Sequence, residues 1–395
     1  MLGLYLHIPF CEKKCIYCDF YSVETTDHIA DFVQTLQQEI ALRACFLSQH
    51  QKHYNTVFFG GGTPSLLSAH QLDAIISCLH KHFSFADNAE WTMECNPGTV
   101  TRALLNAYRA LGINRLSYGV QSFFDEDLVF LSRIHSGVQA LDALNMSREA
   151  GFENLNIDLM FSLPYQPFDR WQKNVEYAIS LGVEHISAYS LIFEHGTPLY
   201  SLYKRGQVRP QDEKHEAALY RWTIHTLTAH GYEHYEVSNF AQQGKICRHN
   251  CVYWHGQEYV SFGPSAHGYI YTEKGFIRYW NIRGLKRYTD SVRACVLPIA
   301  NYEVLSLYDR MVERVFLELR SQGIRKQAFY QDFHIDISDA LSSVLPEWTH
   351  VGLVIDTPEI VRLSPEGYAV CDSITVKVLQ LVESALNTTM QSRVA

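Results

Sequence analysis

The stretch "LGLYLHIPFCEKKCIYCDFYS", residues 2–22, runs from a strand-like segment directly into three cysteines. Residues 2–8 read as a strand, and Cys11, Cys15 and Cys18 follow it in C-x3-C-x2-C spacing, with Phe10, Tyr17 and Phe20 among them. A strand that ends in a cluster of soft ligands places metal chemistry at one end of a sheet. Three cysteines leave a tetrahedral site one ligand short.

Further strand-like runs follow at 56–60, 90–95, 115–121, 154–160 and 185–191. Between them, segments at 67–83, 101–112 and 137–151 carry helical periodicity. Strands alternating with helices mean a parallel sheet wound from β/α units. Six units are too many for a small doubly wound sheet and suit a partial or complete β/α barrel. The polar motifs fall at strand ends: the cysteine loop after the first strand, "GGGTP" (60–64) after the second, Glu94 and Gln121 ending the third and fourth, Asp158 late in the fifth. All gather at the C-terminal face, where barrel active sites are built.

From about residue 300 the pattern changes. An amphipathic helix is expected over 301–323, then short elements and a hairpin within 352–370, which together read as a small winged-helix-like α+β domain. The division expected is 1–295 for the barrel with its extension and 296–395 for the C-terminal domain; 387–395 reads as a frayed end. The composition, 47% apolar and 19% charged, is that of a globular protein with a real core. No apolar run approaches a membrane span of about 18 residues. The first residues lack a basic leader, so a cytoplasmic location is expected. A net charge of −9 argues against a nucleic-acid partner held by phosphate contacts. Ten cysteines in 395 residues are too dilute for a disulfide framework.

Two sites fit the cysteine triad. A 4Fe–4S cluster can be held by three irons with its fourth open to a substrate. A structural zinc can borrow a distant fourth ligand, with Cys95, Cys247 or a histidine as candidates. Zinc sites usually bring cysteines as separated C-x2-C pairs, so the spacing favours the open cluster. The glycines of "GGGTP" allow a close backbone approach to a ligand and offer it N–H groups.

C-x3-C-x-Y-C with "GGGTP" one unit later resembles the radical S-adenosylmethionine enzymes. The resemblance implies that the methionine amino and carboxylate groups complete the cluster, and that electron transfer from it breaks a sulfonium C–S bond. The stretches "ECNPGT" (94–99), "SYGVQSFFDEDLVFLSRIHSGVQALDAL" (117–144) and "NIDLMFSLP" (156–164) closely resemble the oxygen-independent coproporphyrinogen III oxidase group. By that resemblance Glu94, Gln121, Arg133 and Asp158 surround S-adenosylmethionine. Gly61, Gly62 and Thr63 match its glycine-rich contacts, and Tyr5 and Tyr17 match aromatic positions beside the cluster.

The group divides into oxidases, which decarboxylate coproporphyrinogen III, and haem chaperones, which bind haem and pass it on. The oxidases resemble C-x3-C-x2-C-x-C, where this chain has Phe20, and they carry an N-terminal extension before the cluster, where this chain has ten residues. "HNCVYW" (249–254) resembles the chaperone branch. The chaperone reading implies haem, haem-accepting proteins, a reductant for the cluster and peripheral contact with membrane haemoproteins as partners. It makes His249 a candidate ligand for haem iron beside the flat surfaces of Tyr253 and Trp254. An iron–sulfur scaffold without catalysis is a third reading, against which the full set of cofactor-binding residues argues.

Overall fold

A computed structural model describes the backbone of residues 1–394 and the side chains of 1–386. The expected frayed end at 387–395 lies outside the residues described in full. Six strands, β1 (Gly3–Ile8), β2 (His53–Gly61), β3 (Ser84–Cys95), β4 (Arg115–Gln121), β5 (Leu155–Phe161) and β6 (His185–Ser190), pair in parallel and in chain order. Helices connect them, among them Ile29–Ala44, Ala69–His82, Arg102–Ala110, Gly137–Glu149 and Phe168–Ser180. The barrel is partial, because β6 pairs with a later strand and never with β1.

Each strand alternates even though the sheet is parallel. Leu4, Leu6 and Ile8 of β1, Val57 and Phe59 of β2, and Leu116, Tyr118 and Val120 of β4 are all fully buried. They belong to one apolar core that also takes in helix residues such as Leu36, Ile75 and Trp171. Residues of the opposite parity, such as Ser117, Asn156, Asp158, His185 and Ser187, are polar and hydrogen-bond to one another across the lumen, where the buried Arg115 charge feels Asp158. Parallel strands buried on both faces are normally continuous apolar runs; here the polar lumen restores the period of two.

Antiparallel strands extend both edges. The hairpin β7 (Glu233–Glu236) and β8 (Asn239–Ala241) joins β6. On the other side β9 (Tyr259–Phe262) runs parallel to β1, followed by β10 (His267–Thr272), β11 (Gly275–Asn281) and β12 (Ile299–Val304). The result is one 12-stranded sheet. The short helix Arg248–Trp254 lies against β2, and its Val252 and His249 close on Gly3 at the start of β1, so it floors the barrel. Glu90 of β3 accepts from the backbone N–H groups of Arg248 and His249, both at 3.0 Å. It thereby satisfies donors that a helix start leaves open.

The helix expected over 301–323 is shorter than the periodicity suggested. Residues 299–304 pair with β11, and the helix is Leu307–Leu319. Ser306 accepts from Asp309 N–H while the Asp309 carboxylate accepts from Ser306 N–H, a capping box that fixes the start. The division expected at 295/296 therefore falls before the last strand of the large sheet. A second core begins at Met311 and gathers Val315, Leu319, Phe329 and Val382. It packs helices on a small antiparallel sheet of β13 (Ile324–Arg325), β14 (Val354–Asp356) and β15 (Ile360–Leu363), in the order β13–β15–β14. The expected hairpin is β14–β15.

Candidate functional site

The strand ends of the barrel open into a cavity of about 510 Å³. Eleven of the residues singled out in the sequence line it: Cys11, Cys15, Cys18, Tyr17, Gly61, Gly62, Thr63, Glu94, Gln121, Arg133 and Asp158. Tyr5 and His249 do not.

The cysteine loop is tied down at both ends. Cys11 N–H donates to Val23 O (3.0 Å) and Cys18 N–H to Cys15 O (3.2 Å). The three thiols are neither fully buried nor fully exposed. Thr63 Oγ1 lies 3.6 Å from Cys11 Sγ, and Arg133 Nη1 donates toward Cys15 Sγ at 3.4 Å. Burial pushes the Cys18 thiol up to about 11 and raises Cys11 as well. Among the described residues no three His, Cys, Asp or Glu side chains converge on a point that could hold a single metal ion. Cys95 borders the cavity, whereas Cys247 is buried at the floor beside Glu90.

The glycines of "GGGTP" act differently from expectation. Gly61 N–H donates to Glu94 (3.1 Å), Gly62 N–H to Ile8 O (2.8 Å) and Thr63 N–H to Phe10 O (2.7 Å). These donors are committed within the protein and are not offered to a ligand. A Cβ on Gly62 would fall 2.6 Å from Phe10 O, so the glycine is there to let the second loop pass against the cysteine loop.

Across the cavity stand two carboxylates and one guanidinium. Burial pushes Glu94 up to about 8, and the Asp158 carboxylate pushes it the same way. Asp158 is raised by burial and partly restored by its hydrogen bond from Asn156 (2.7 Å). Burial works against the Arg133 charge, but Tyr17 and Cys15 more than offset it, so the guanidinium stays charged. Arg133 Nη2 donates to Gly119 O (2.6 Å), while its Nε is buried without a partner. Gln121, at φ 67°, turns the chain out of β4 and accepts from Tyr189 OH (2.6 Å). Strained non-glycine backbone of this kind is characteristic of functional sites. Carboxylates that gain by meeting positive charge, opposite an unpaired guanidinium N–H, suit a zwitterionic ligand that also carries a cationic centre. S-adenosylmethionine has that distribution: ammonium, carboxylate and sulfonium.

Tyr5 stands one layer down. Its ring lies 6.2 Å from Phe58 and 6.5 Å from His249, its hydroxyl 3.1 Å from His7 Nδ1, and it feels the Glu94 charge. His249, expected as a candidate haem ligand, lies in the barrel floor and not in the cavity. The side chain is 1% exposed. Its Nδ1 lies 2.8 Å from Thr56 Oγ1 and its Nε2 2.8 Å from Tyr253 OH, with the ring 5.0 Å from Phe58. Both nitrogens are engaged by hydroxyls inside the barrel floor. Other cavity residues escaped the sequence reading, notably Tyr189, Ser238 and Asn239. Tyr189 was within reach, since it shares the lumen parity of β6; Ser238 and Asn239 arrive from a hairpin that carries no motif.

Residues 5–187 match the Radical SAM superfamily and residues 305–370 match the HemN C-terminal domain. The chain is 33% identical over 371 residues to the "Heme chaperone HemW" of Bacillus subtilis, covering 93% of this chain and 96% of that one. It is 36% identical over 327 residues to the protein of the same name from Mycobacterium tuberculosis strain H37Rv, covering 82% of each. Against the bovine "Radical S-adenosyl methionine domain-containing protein 1, mitochondrial", identity is 31%, over 97% of this chain and 88% of that one. The coproporphyrinogen III oxidase (HemN) of Escherichia coli superposes with a TM-score of 0.80 over 96% of this chain and 89% of that one, at 23% identity, a likeness of fold. By its cysteine triad, its barrel and its full-length relatives, the chain belongs to the radical S-adenosylmethionine superfamily, within the family of the proteins named heme chaperone HemW.

Proposed function

We propose that this chain is a haem chaperone that carries a 4Fe–4S cluster with S-adenosylmethionine and hands haem to acceptor proteins. The observation that carries the reading is likeness along the whole chain to relatives of that name. The 23% likeness to the oxidase speaks for the fold alone. Phe20 supports the same choice: it stands 64% exposed on the cavity rim, at the position where the resemblance gives the oxidases a further cysteine.

In this reading Cys11, Cys15 and Cys18 hold the cluster, which when bound supplies a reducing one-electron site with one iron open to a ligand. Arg133 pairs through its unpartnered Nε–H with the ligand's carboxylate. Glu94 and Asp158 hold its positive groups, and Gln121, oriented by Tyr189, serves its polar edge. Gly61, Gly62 and Thr63 shape the wall, and Tyr17 covers the triad. Tyr5 supports Glu94 from below. The partners are haem, haem-accepting proteins, including membrane haemoproteins met by peripheral contact, and a reductant. The place of work is the cytoplasm; among the described residues no helix is long and apolar enough to cross a membrane.

The test is one anaerobic preparation with reconstituted cluster, given haem in one arm and coproporphyrinogen III with S-adenosylmethionine in the other. Stoichiometric haem uptake and transfer to an apo-haemoprotein, without decarboxylation, is the expected result. Robust decarboxylation would overturn the reading in favour of the oxidase.

A further inference from the structure

Two buried polar networks lie apart from the one in the lumen, and their placement distinguishes them. In the first, Glu39 accepts from Gly263 N–H (2.8 Å), from Asn281 Nδ2 (2.8 Å) and from Arg43, which also donates to Asn281. It braces the turn between β9 and β10, and none of its members lines the cavity. The second stands behind the two side chains that the chain after β4 sends into the cavity, Gln121 and Arg133.

The centre of this second network is Asp127, on the short helix Asp125–Phe130 and 5% exposed. Its Oδ2 accepts from Ser122 Oγ (2.7 Å) and Gln166 Nε2 (3.3 Å), and its Oδ1 from Arg170 Nη1 (3.2 Å). Asn174 joins by donating to Ser122 Oγ (3.1 Å) and accepting from Phe123 N–H (2.7 Å). Ser122, Gln166 and Asn174 are buried as well. One carboxylate thus ties the loop after β4 to the loop after β5 and to the helix Phe168–Ser180. A buried charge is tolerated only with its partners in place, so the tie holds as a unit.

The backbone on both sides of Asp127 is strained. Gln121 sits at φ 67°, and Ser132, immediately before Arg133, at φ 58°. Across the tie, Ser162 and Tyr165 sit at φ 61° and φ 64°. Left-handed backbone at non-glycine residues persists only where the surroundings over-determine it. Asp127 does so from both ends. Its side chain holds Ser122, next to Gln121, and its carbonyl accepts from Leu131 N–H (2.9 Å). Ser132 N–H then donates to Val129 O (3.0 Å) and Arg133 N–H to Leu128 O (2.9 Å), so Arg133 departs directly from the helix that Asp127 anchors. Asp127 itself does not line the cavity.

We propose, resting on the cofactor reading above, that Asp127 is a positioning residue for S-adenosylmethionine, acting through Arg133 and Gln121. It sets the guanidinium against the Gly119 carbonyl and the Cys15 thiol, with the Nε–H left for the ligand's carboxylate.

The full chain with reconstituted cluster is titrated anaerobically, by calorimetry, with S-adenosylmethionine and with its decarboxylated analogue. The ratio of the two affinities reports how well the carboxylate is met, whereas general loosening of the fold lowers both and leaves the ratio. Arg133→Ala is expected to cut the ratio by about tenfold, as the loss of one charge-assisted hydrogen bond implies. Asp127→Asn, which sets an amide N–H group against the donors of Gln166 or Arg170, is expected to cut it several-fold with cluster iron unchanged. The double variant should fall no further than Arg133→Ala alone, because one residue acts through the other. Ser122→Ala, which removes one bond of the tie, should lose less of the ratio. Glu39→Gln, in the other network, should lower the melting temperature and leave the ratio as it is. An unchanged ratio in Asp127→Asn, or an equal loss of it in Glu39→Gln, would overturn the proposal. No preference for the carboxylate in the unmodified chain would overturn the cofactor reading beneath it.

Discussion

His249→Ala separates a ligand from a floor residue. The imidazole bridges Thr56, which is fully buried, and Tyr253, each at 2.8 Å. Removing the ring strands both hydroxyls, at about 1–3 kcal/mol for each buried group left without a partner. It also opens a void between Phe58, Tyr253 and Gly3, and ring truncations of that size cost about 3–5 kcal/mol. The terms overlap, because relaxation that fills the void can also rescue a hydroxyl, so about 3–5 kcal/mol is the working total. Against a net stability of about 5–15 kcal/mol this lowers the melting temperature by on the order of 10 °C. His249→Gln, which keeps a donor and an acceptor, should recover part of the loss. The assay is thermal unfolding followed by circular dichroism, paired with haem titration of protein still folded at low temperature. The expected result is a large fall in melting temperature with an unchanged haem spectrum. A variant that melts with the unmodified chain yet loses its haem spectrum would refute the reasoning.

Cys15→Ala should abolish the cluster: the unmodified chain takes up about four irons on anaerobic reconstitution, the variant few or none, read by iron analysis and charge-transfer absorbance. Arg133→Ala should weaken S-adenosylmethionine binding by about 1–3 kcal/mol, measured by calorimetry, while iron content holds; equal affinity would place the carboxylate elsewhere. Gly62→Ala forces a Cβ to within 2.6 Å of Phe10 O and should part the two loops, lowering cluster uptake without a comparable loss of global stability. Glu236 is fully buried, and burial pushes its carboxyl from 4.5 up to about 7. Between those values the folded chain keeps a proton that the unfolded chain releases, so stability falls as pH rises, by about 3 kcal/mol in all. Glu236→Gln should flatten that fall in urea titrations run from pH 5 to 8, and superimposable profiles would reject the assignment.

The barrel was legible because its signals are local. Strands that alternate and motifs at their ends need only a few neighbouring residues, and β4 matches its expected span of 115–121. The edges were harder to read. β12 resembles the start of the helix that follows it, and its pairing with β11 decides the matter. "GGGTP" was legible as a place of close approach, but not for what approaches: the partner is the cysteine loop. His249 was legible as a polar residue among aromatics in a short motif, but its buried partners were not. Thr56 lies 193 positions away, and only the fold brings it to the imidazole. The brace of Glu39, Arg43 and Asn281 was invisible for the same reason, with its members up to 242 positions apart.

The polar lumen accounts for both the floor and the open side of the barrel. A chain of hydrogen bonds runs from Tyr235 through His185 and Asn156 to Asp158, linking the floor to the cavity. Such a network orients Asp158 only if each member keeps its partner, and it loses that order if solvent enters from below. The helix Arg248–Trp254, capped by Glu90 and pinned by His249, supplies the seal. With the bottom closed, ligands must enter from the C-terminal mouth. There β6 turns to β8 instead of closing on β1, and β9 to β12 carry the sheet outward. A closed barrel would leave a mouth fitted to one small cofactor. The same strand order ties the cysteine loop to β1. Phe10, which takes the Thr63 N–H bond beside Cys11, and His7, which lies against Gly61 and feels His267, sit three residues apart on one strand and its loop. β1 and the loop after it therefore hold the cysteine triad against the "GGGTP" turn.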